Sequence, residues 1–283
     1  MTKLLALIDA SVYAQSVCDH AAWAAARLDA SVEVLHVLGR RDTSSIPADY
    51  TGSLSADARD TLLAELAALD EEKARLAQKR GRLVLDEAKA RLAAAGIDAV
   101  TSLRLGDLTE TVAEREMDAE LVVIGKRGEA ADFAKLHLGS NLERVVRASR
   151  RPVLVAARAF RPIERVLVAF DGGASALKAV DHIARSPMFA GLSCRLLMVG
   201  AETSDARKKL DGAVAQLAAA GYMPKADLVP GQPEQVIAQS VEREGIDLLV
   251  MGAYGHSRIR NLIVGSTTVE MVRSCKIPIM MFR

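Results

Sequence analysis

Gly252, Gly255, Gly265, Ser266, Thr267 and Thr268 are spaced as G-x-x-G, nine residues, then G-S-T-T, directly after an apolar run and directly before a helical pattern. Glycine lets the backbone come close to a ligand, and the first turn of a helix offers unpaired N–H groups to an anion. Hydroxyls beside that turn add donors for phosphate oxygens. The spacing therefore predicts a phosphate cradle at a strand end, where open α/β sheets place their ligands. Asp171 closes another apolar run, Arg165 to Asp171. A short carboxylate there accepts from ribose hydroxyls or faces a metal ion; it equally caps the helix that starts just after it. Arg258 and Arg260, in the nine-residue loop, reach a terminal phosphate or are solvated surface charge.

The elements that must position these residues occur twice. Lys3 to Asp9 (KLLALID) resembles Arg165 to Asp171 (RVLVAFD), and Ala119 to Gly128 resembles Ile246 to Gly255. Gly139 through Val155 continues without a gap against Gly265 through Met281, and Gly106-Asp107 and Gly231-Gln232 open matching helices. Two copies of one domain follow, at 1–157 and 163–283. Strands are expected near 3–8, 32–38, 98–104, 120–125 and 153–157, then near 165–170, 193–199, 224–229, 247–251 and 277–282. Helices are expected near 12–29, 57–95, 108–117 and 140–149, then near 174–186, 203–220, 233–243 and 266–274. Short Val/Ile/Leu runs alternating with longer Ala/Leu patterns mean βαβ units and parallel sheets. The copies differ most between their second and third strands, where the first has about 60 residues and the second about 24. That excess is a polar loop, Arg40 to Ser55, and a long helix carrying Leu62, Leu63, Leu66, Leu69, Leu76 and Leu83. The helix either packs over its own sheet or projects as a partner surface.

Composition narrows the function classes. The 283 residues are half hydrophobic and 4% aromatic, so the core is aliphatic. Thirty-seven basic against 36 acidic residues give a net charge of +1, which offers nothing to nucleic acid or an anionic membrane. Cys18, Cys194 and Cys275 lack metal-site spacing and fit a reducing compartment. No apolar run reaches about 18 residues, so no membrane span is expected, and a cytoplasmic location is.

On these residues the chain resembles tandem members of the universal stress protein family over essentially its whole length. The resemblance is carried by Asp171, by Leu197-Met198-Val199, by the spaced glycine motif and by Gly252-Ala253-Tyr254-Gly255-His256-Ser257-Arg258. It implies the adenine-nucleotide-binding branch, with ATP, ADP or AMP as ligand. Ala169 and Asp171 would end the first strand of the site, with Asp171 near the ribose or a phosphate-bound magnesium. Val199 would meet the adenine edge through its backbone, and Met251 and Gly252 would close over the sugar. Gly255, Gly265, Ser266, Thr267 and Thr268 would hold the phosphates. The implied fold is an open five-stranded parallel sheet of order 3-2-1-4-5 in each copy, flavodoxin-like and adenine nucleotide alpha hydrolase-like. The copies would pair about a pseudo-two-fold through 153–157 and 277–282, and a further homodimer is left open. The implied role is a nucleotide-dependent regulator or sensor in the stress response, with an unknown regulatory partner.

The first copy departs from the pattern. Ten residues separate Gly128 from Gly139, and Asn141 and Leu142 replace Thr267 and Thr268. Asp9, Val37, Gly125, Gly128, Gly139 and Ser140 remain, while Lys126, Arg127, Lys135 and His137 add positive or titratable groups. Either this copy binds nucleotide through those groups or it is a degenerate twin. Walker A, a strand-linked G-x-G-x-x-G and a G-x-S-x-G elbow do not occur. The five histidines lack zinc-site spacing; His36 is expected to pack beside the site. Asp171-Gly172-Gly173-Ala174-Ser175 is distantly similar to the S-G-G-x-D-S loop of ATP pyrophosphatases but lacks its defining residues. No catalytic constellation emerges. Slow ATP hydrolysis or self-phosphorylation, and a nucleotide-free scaffold working through the long helix, stand as alternatives.

Overall fold

The computed structural model describes residues 2–39, 56–128, 140–253 and 266–283, and the side chains of all these except 56–59, 140, 266 and 267. The first copy runs β1 (Thr2–Leu7), α1 (Ala14–Leu28), β2 (Ala30–Leu38), α2 (Ala56–Ala94), β3 (Ala99–Leu105), α3 (Leu108–Arg115), β4 (Leu121–Gly125), α4 (Ser140–Ala148) and β5 (Val153–Ala156). The second runs β6 (Arg165–Ala169), α5 (Ala174–Arg185), β7 (Ser193–Val199), α6 (Ser204–Ala219), β8 (Lys225–Val229), α7 (Pro233–Glu244), β9 (Leu248–Gly252), α8 (Ser266–Ser274) and β10 (Ile279–Phe282). Each expected strand and helix is present, its ends within about two residues.

All ten strands form one sheet in the order β3-β2-β1-β4-β5-β10-β9-β6-β7-β8. Each half has the expected 3-2-1-4-5 order. Flavodoxin itself orders 2-1-3-4-5, so "flavodoxin-like" holds for the open, helix-covered architecture and not for the order. Pairing is parallel within each half; the halves meet antiparallel, with Ile279, Met280 and Met281 opposite Val155, Leu154 and Val153. The expected contact strands are therefore the ones that join.

The central strands are apolar on both faces because helices cover both; Leu4, Leu5 and Ala6 are fully buried, as are Leu248, Leu249 and Val250. One core layer, on one face of the sheet, contains Val17, Leu92, Ile183 and Leu210; the other contains Val112, Val145, Ile237 and Met271. Both layers run across the β5–β10 seam.

The long helix α2 packs over its own sheet, as one of the two expectations had it. Its C-terminal part packs on the sheet through Leu85, Ala88 and Leu92. Gly81 sits mid-helix at a cost in propensity, and the reason is contact: a Cβ there would lie 2.9 Å from both His36 Cδ2 and Leu103 Cδ1. Further toward its N-terminus, Leu63, Leu69 and Leu76 are exposed, as is Leu83. Among the described residues no helix is long and apolar enough to cross a membrane.

Candidate functional site

In both halves the strand order reverses between the first and fourth strands, β1 and β4 or β6 and β9. The crevice at the carboxyl ends of such a pair is where open sheets bind ligands. In the second copy β6 and β9 are neighbours, with Ala169 opposite Met251. Ala169 also pairs with Leu197 on β7, whose last residue is Val199. Ala169, Val199, Met251 and Gly252 therefore end adjacent strands at one edge of the sheet.

Asp171 lies just beyond β6 with its side chain exposed, and its Oδ1 accepts the Gly173 N–H at 2.8 Å. This bond closes a local turn, with Gly172 at φ 71°, ahead of α5; the N-cap of α5 is Gly173, which has no side-chain cap, so Asp171 does not cap the helix. Gly252 faces the start of α5: a Cβ on it would sit 3.0 Å from Ser175 Cβ and 3.3 Å from Ala176 N. Ser175 was not singled out from the sequence, nor was Lys209, whose side chain lies over Gly172. The turn between β6 and α5 brings Ser175 to Gly252, and α6 carries Lys209 over Gly172.

Helix α8 begins at Ser266, as the motif requires. Thr268 is buried and its hydroxyl donates to the Ala253 carbonyl at 3.2 Å. It ties the first turn of α8 to the end of β9 in this structure. Gly255, Gly265, His256, Arg258 and Arg260 lie outside the described residues, as do the side chains of Ser266 and Thr267.

The first copy brings its corresponding residues around a cavity of about 70 Å³. Asp9, Val37, Gly125 and Gly128 line it, together with Ser11, Tyr13, Leu108, Arg127, Asn141 and Leu142. Asp9 repeats the Asp171 turn: its Oδ1 accepts the Ser11 N–H at 3.1 Å. Gly128 is held close to it, since a Cβ there would meet Asp9 Oδ2 at 2.9 Å. Gly125 faces Tyr13, as Gly252 faces Ser175, with 2.7 Å from a built Cβ to Tyr13 Cβ. Gly139, Lys135 and His137 lie outside the described residues, as does the Ser140 side chain.

Of two expectations for the first copy, the one for Lys126 is corrected and the one for His36, packing beside the site, is met. Lys126 does not face the cavity: it is buried and its Nζ donates to the Cys275 carbonyl of the second copy. Desolvation holds its ammonium pKa below the usual lysine value. His36 is buried under α2 with its Nδ1 2.7 Å from the Ile8 carbonyl, one residue before Asp9. It supports the cavity wall and does not line it.

Asp107, the side-chain cap of α3, is bonded by Arg144 of α4 at 2.5 Å, which holds its carboxyl pKa below the usual range. This pair fixes the two helices that supply Leu108, Asn141 and Leu142. The three cysteines are buried free thiols; burial pushes Cys18 to about 11 and Cys194 to about 12, which leaves them unreactive at neutral pH.

Comparison with known proteins agrees with this architecture. The signature of the universal stress protein family matches residues 1–157 and 192–283. The interval between them contains β6 and Asp171, so these rest on the internal repeat and on the sheet pairing. The universal stress protein Slr1230 of Synechocystis is 37% identical over 287 residues, covering 100% of both chains. Among solved structures, a universal stress protein from Archaeoglobus fulgidus superposes with a TM-score of 0.73 at 20% identity, over 99% of this chain and 96% of that one. PA1789 of Pseudomonas aeruginosa, described as functionally unknown, gives 0.62 at 14% identity, over 100% and 92%. At such identities these two likenesses speak to the fold alone.

Proposed function

The chain belongs to the universal stress protein family, and on that premise we propose that it binds an adenine nucleotide, ATP first among them, chiefly in its second copy. The domains are 1–157 and 163–283, and the protein acts in the cytoplasm as a nucleotide-dependent regulator of the stress response. The observation that carries the nucleotide reading is the convergence of Ala169, Val199 and Gly252 on one edge of the sheet, beside Asp171 and the first turn of α8. Small side chains flank this crevice where Tyr13 stands in the first copy.

The second-copy residues fit the ligand chemically. Backbone N–H groups at the start of α8 and the Gly255–Gly265 loop suit phosphates. The exposed Asp171 carboxylate suits a ribose or magnesium bound through the nucleotide. In this reading ATP acts there as a ligand; among the described residues no positioned base stands in the crevice.

The test is thermal unfolding of the full chain with Mg-ATP, beside Gly265→Asp, which puts a carboxylate where phosphate should sit. Ligand at about 100 times Kd stabilises by about 2.7 kcal/mol, a rise of several degrees. The expected result is that rise in the wild type and none in the variant. No rise with any adenine nucleotide would refute the reading. The exposed Leu69, Leu76 and Leu83 on α2 favour a second one, a scaffold that docks a partner through this helix.

A further inference from the structure

Helices α4 and α8 are equivalent: each starts at the hydroxyl-bearing end of a glycine motif, at Ser140 or Ser266. Each also ends against a cation from the other copy. The Lys126 ammonium of the first copy donates to the Cys275 carbonyl, one residue past α8. The Arg283 guanidinium of the second copy donates to the Arg147 carbonyl in the last turn of α4. A cation at a helix C-terminus satisfies orphan carbonyls and suits the helix dipole.

The two links differ in depth. Arg283 is exposed, whereas Lys126 is buried, so the Cys275 carbonyl it bonds is hard to replace with water. Lys126 also sits in sequence between Gly125 and Arg127, both of which line the first-copy cavity. At the other end of α8, Thr268 is bonded to Ala253, next to Gly252. A contiguous chain therefore runs from the wall of one crevice to the wall of the other: segment 125–128, Lys126, Cys275, α8, Thr268, Ala253.

We propose that Lys126 is a positioning residue acting across the two copies: it ties the cavity-facing segment of the first to α8 of the second, so that ligand affinity in the second copy depends on the state of the first. This rests on the nucleotide reading above. The register of α8 follows segment 125–128, and a change in the first cavity moves the N–H groups that face phosphate in the second.

The experiment is a double-mutant cycle on the full chain, read as ATP affinity. Gly128→Val perturbs the first cavity by crowding Asp9; Lys126→Met removes the donor while keeping length and burial. Gly128→Val is expected to change the ATP Kd about 5-fold with Lys126 present, the low end of usual allosteric coupling, and by less than about 1.5-fold in Lys126→Met. Lys126→Arg, which keeps a donor, should restore the effect. Equal factors in both backgrounds overturn the proposal. Hydrogen exchange of amides 268–275 without nucleotide separates the two ideas: Lys126→Met should speed it about 3-fold or more. If ATP binds in neither background, the nucleotide reading and the coupling both fall, while faster exchange would still show that Lys126 holds α8. Unchanged exchange would remove the tether itself.

Discussion

The two halves of this sheet share strand order, an acidic turn after the first strand and a glycine at the end of the fourth, yet the crevices are furnished differently. Gly125 faces Tyr13 in the first copy, and Gly252 faces Ser175 in the second. Leu142 lines the first cavity, while its counterpart Thr268 bonds the end of β9. Lys126 leaves its own crevice for the other copy, where the equivalent residue is the buried Ala253. One scaffold thus carries a crevice bordered by small residues and another narrowed by an aromatic ring. The difference shows that repetition of a fold does not repeat its site.

The largest expected effect breaks the comparison at its matched glycines. Gly252→Val should weaken ATP binding about 100-fold, or about 2.7 kcal/mol, because the new side chain must displace Ser175 and the start of α5. Gly125→Val should leave one nucleotide bound per chain at saturation. Equilibrium titration of both variants checks this, and equal losses would contradict it.

A second change sharpens the comparison by moving residues between copies. Tyr13→Ser with Leu142→Thr gives the first copy the second copy's chemistry. It should raise ATP affinity there by about 10-fold or more, about 1.4 kcal/mol, seen as a second binding event in calorimetry. An unchanged titration would mean that the lengthened Gly128–Gly139 segment is what disables this copy.

These substitutions also mark what the sequence could say. Strand and helix positions were legible because apolar runs, Asp-terminated strands and glycine spacing repeat at matched distances. The β5–β10 junction followed from the family resemblance. Tyr13 and Ser175 carry no signal alone, since each reads as an ordinary residue in a helix start; only the close approach of Gly125 and Gly252 gives them meaning. Lys126 looked like a phosphate ligand because it neighbours a glycine motif. Its target lies 149 positions away across the seam, which no local pattern encodes. Gly81 in the middle of the long helix has its reason in His36 and Leu103, which pack against it from distant strands.

A smaller effect tests the Thr268 hydroxyl. Thr268→Val keeps shape but leaves the Ala253 carbonyl without that donor, costing about 1 kcal/mol and a melting decrease of a few degrees. Thr268→Ser should cost less. If Thr268→Val abolished ATP binding with no loss of stability, the hydroxyl would belong to the phosphate after all.

The smallest effect concerns His20 and its counterpart His182. His20 is fully buried against Phe160 with Nε2 unpartnered among the described residues, and desolvation lowers its pKa below 6.5. His182 packs against Phe189 and Phe282, is only partly buried, and is lowered by the same cause. A histidine held neutral binds fewer protons folded than unfolded. Its contribution is therefore complete above the unfolded pKa near 6.5 and is lost as pH falls through the lower folded value. Urea unfolding at pH 7.5 and 5 should show acid destabilisation, relieved more by His20→Asn than by His182→Asn. Equal relief would erase the distinction between the copies here.

The central proposal is that an adenine nucleotide binds chiefly in the second copy, and counting tests it most directly. Full-length protein saturated with Mg-ATP and freed of excess ligand is denatured, and the released nucleotide is identified by chromatography and mass. One adenine nucleotide per chain, lost in Gly265→Asp, is the predicted result; two per chain, or one that survives Gly265→Asp, would contradict it.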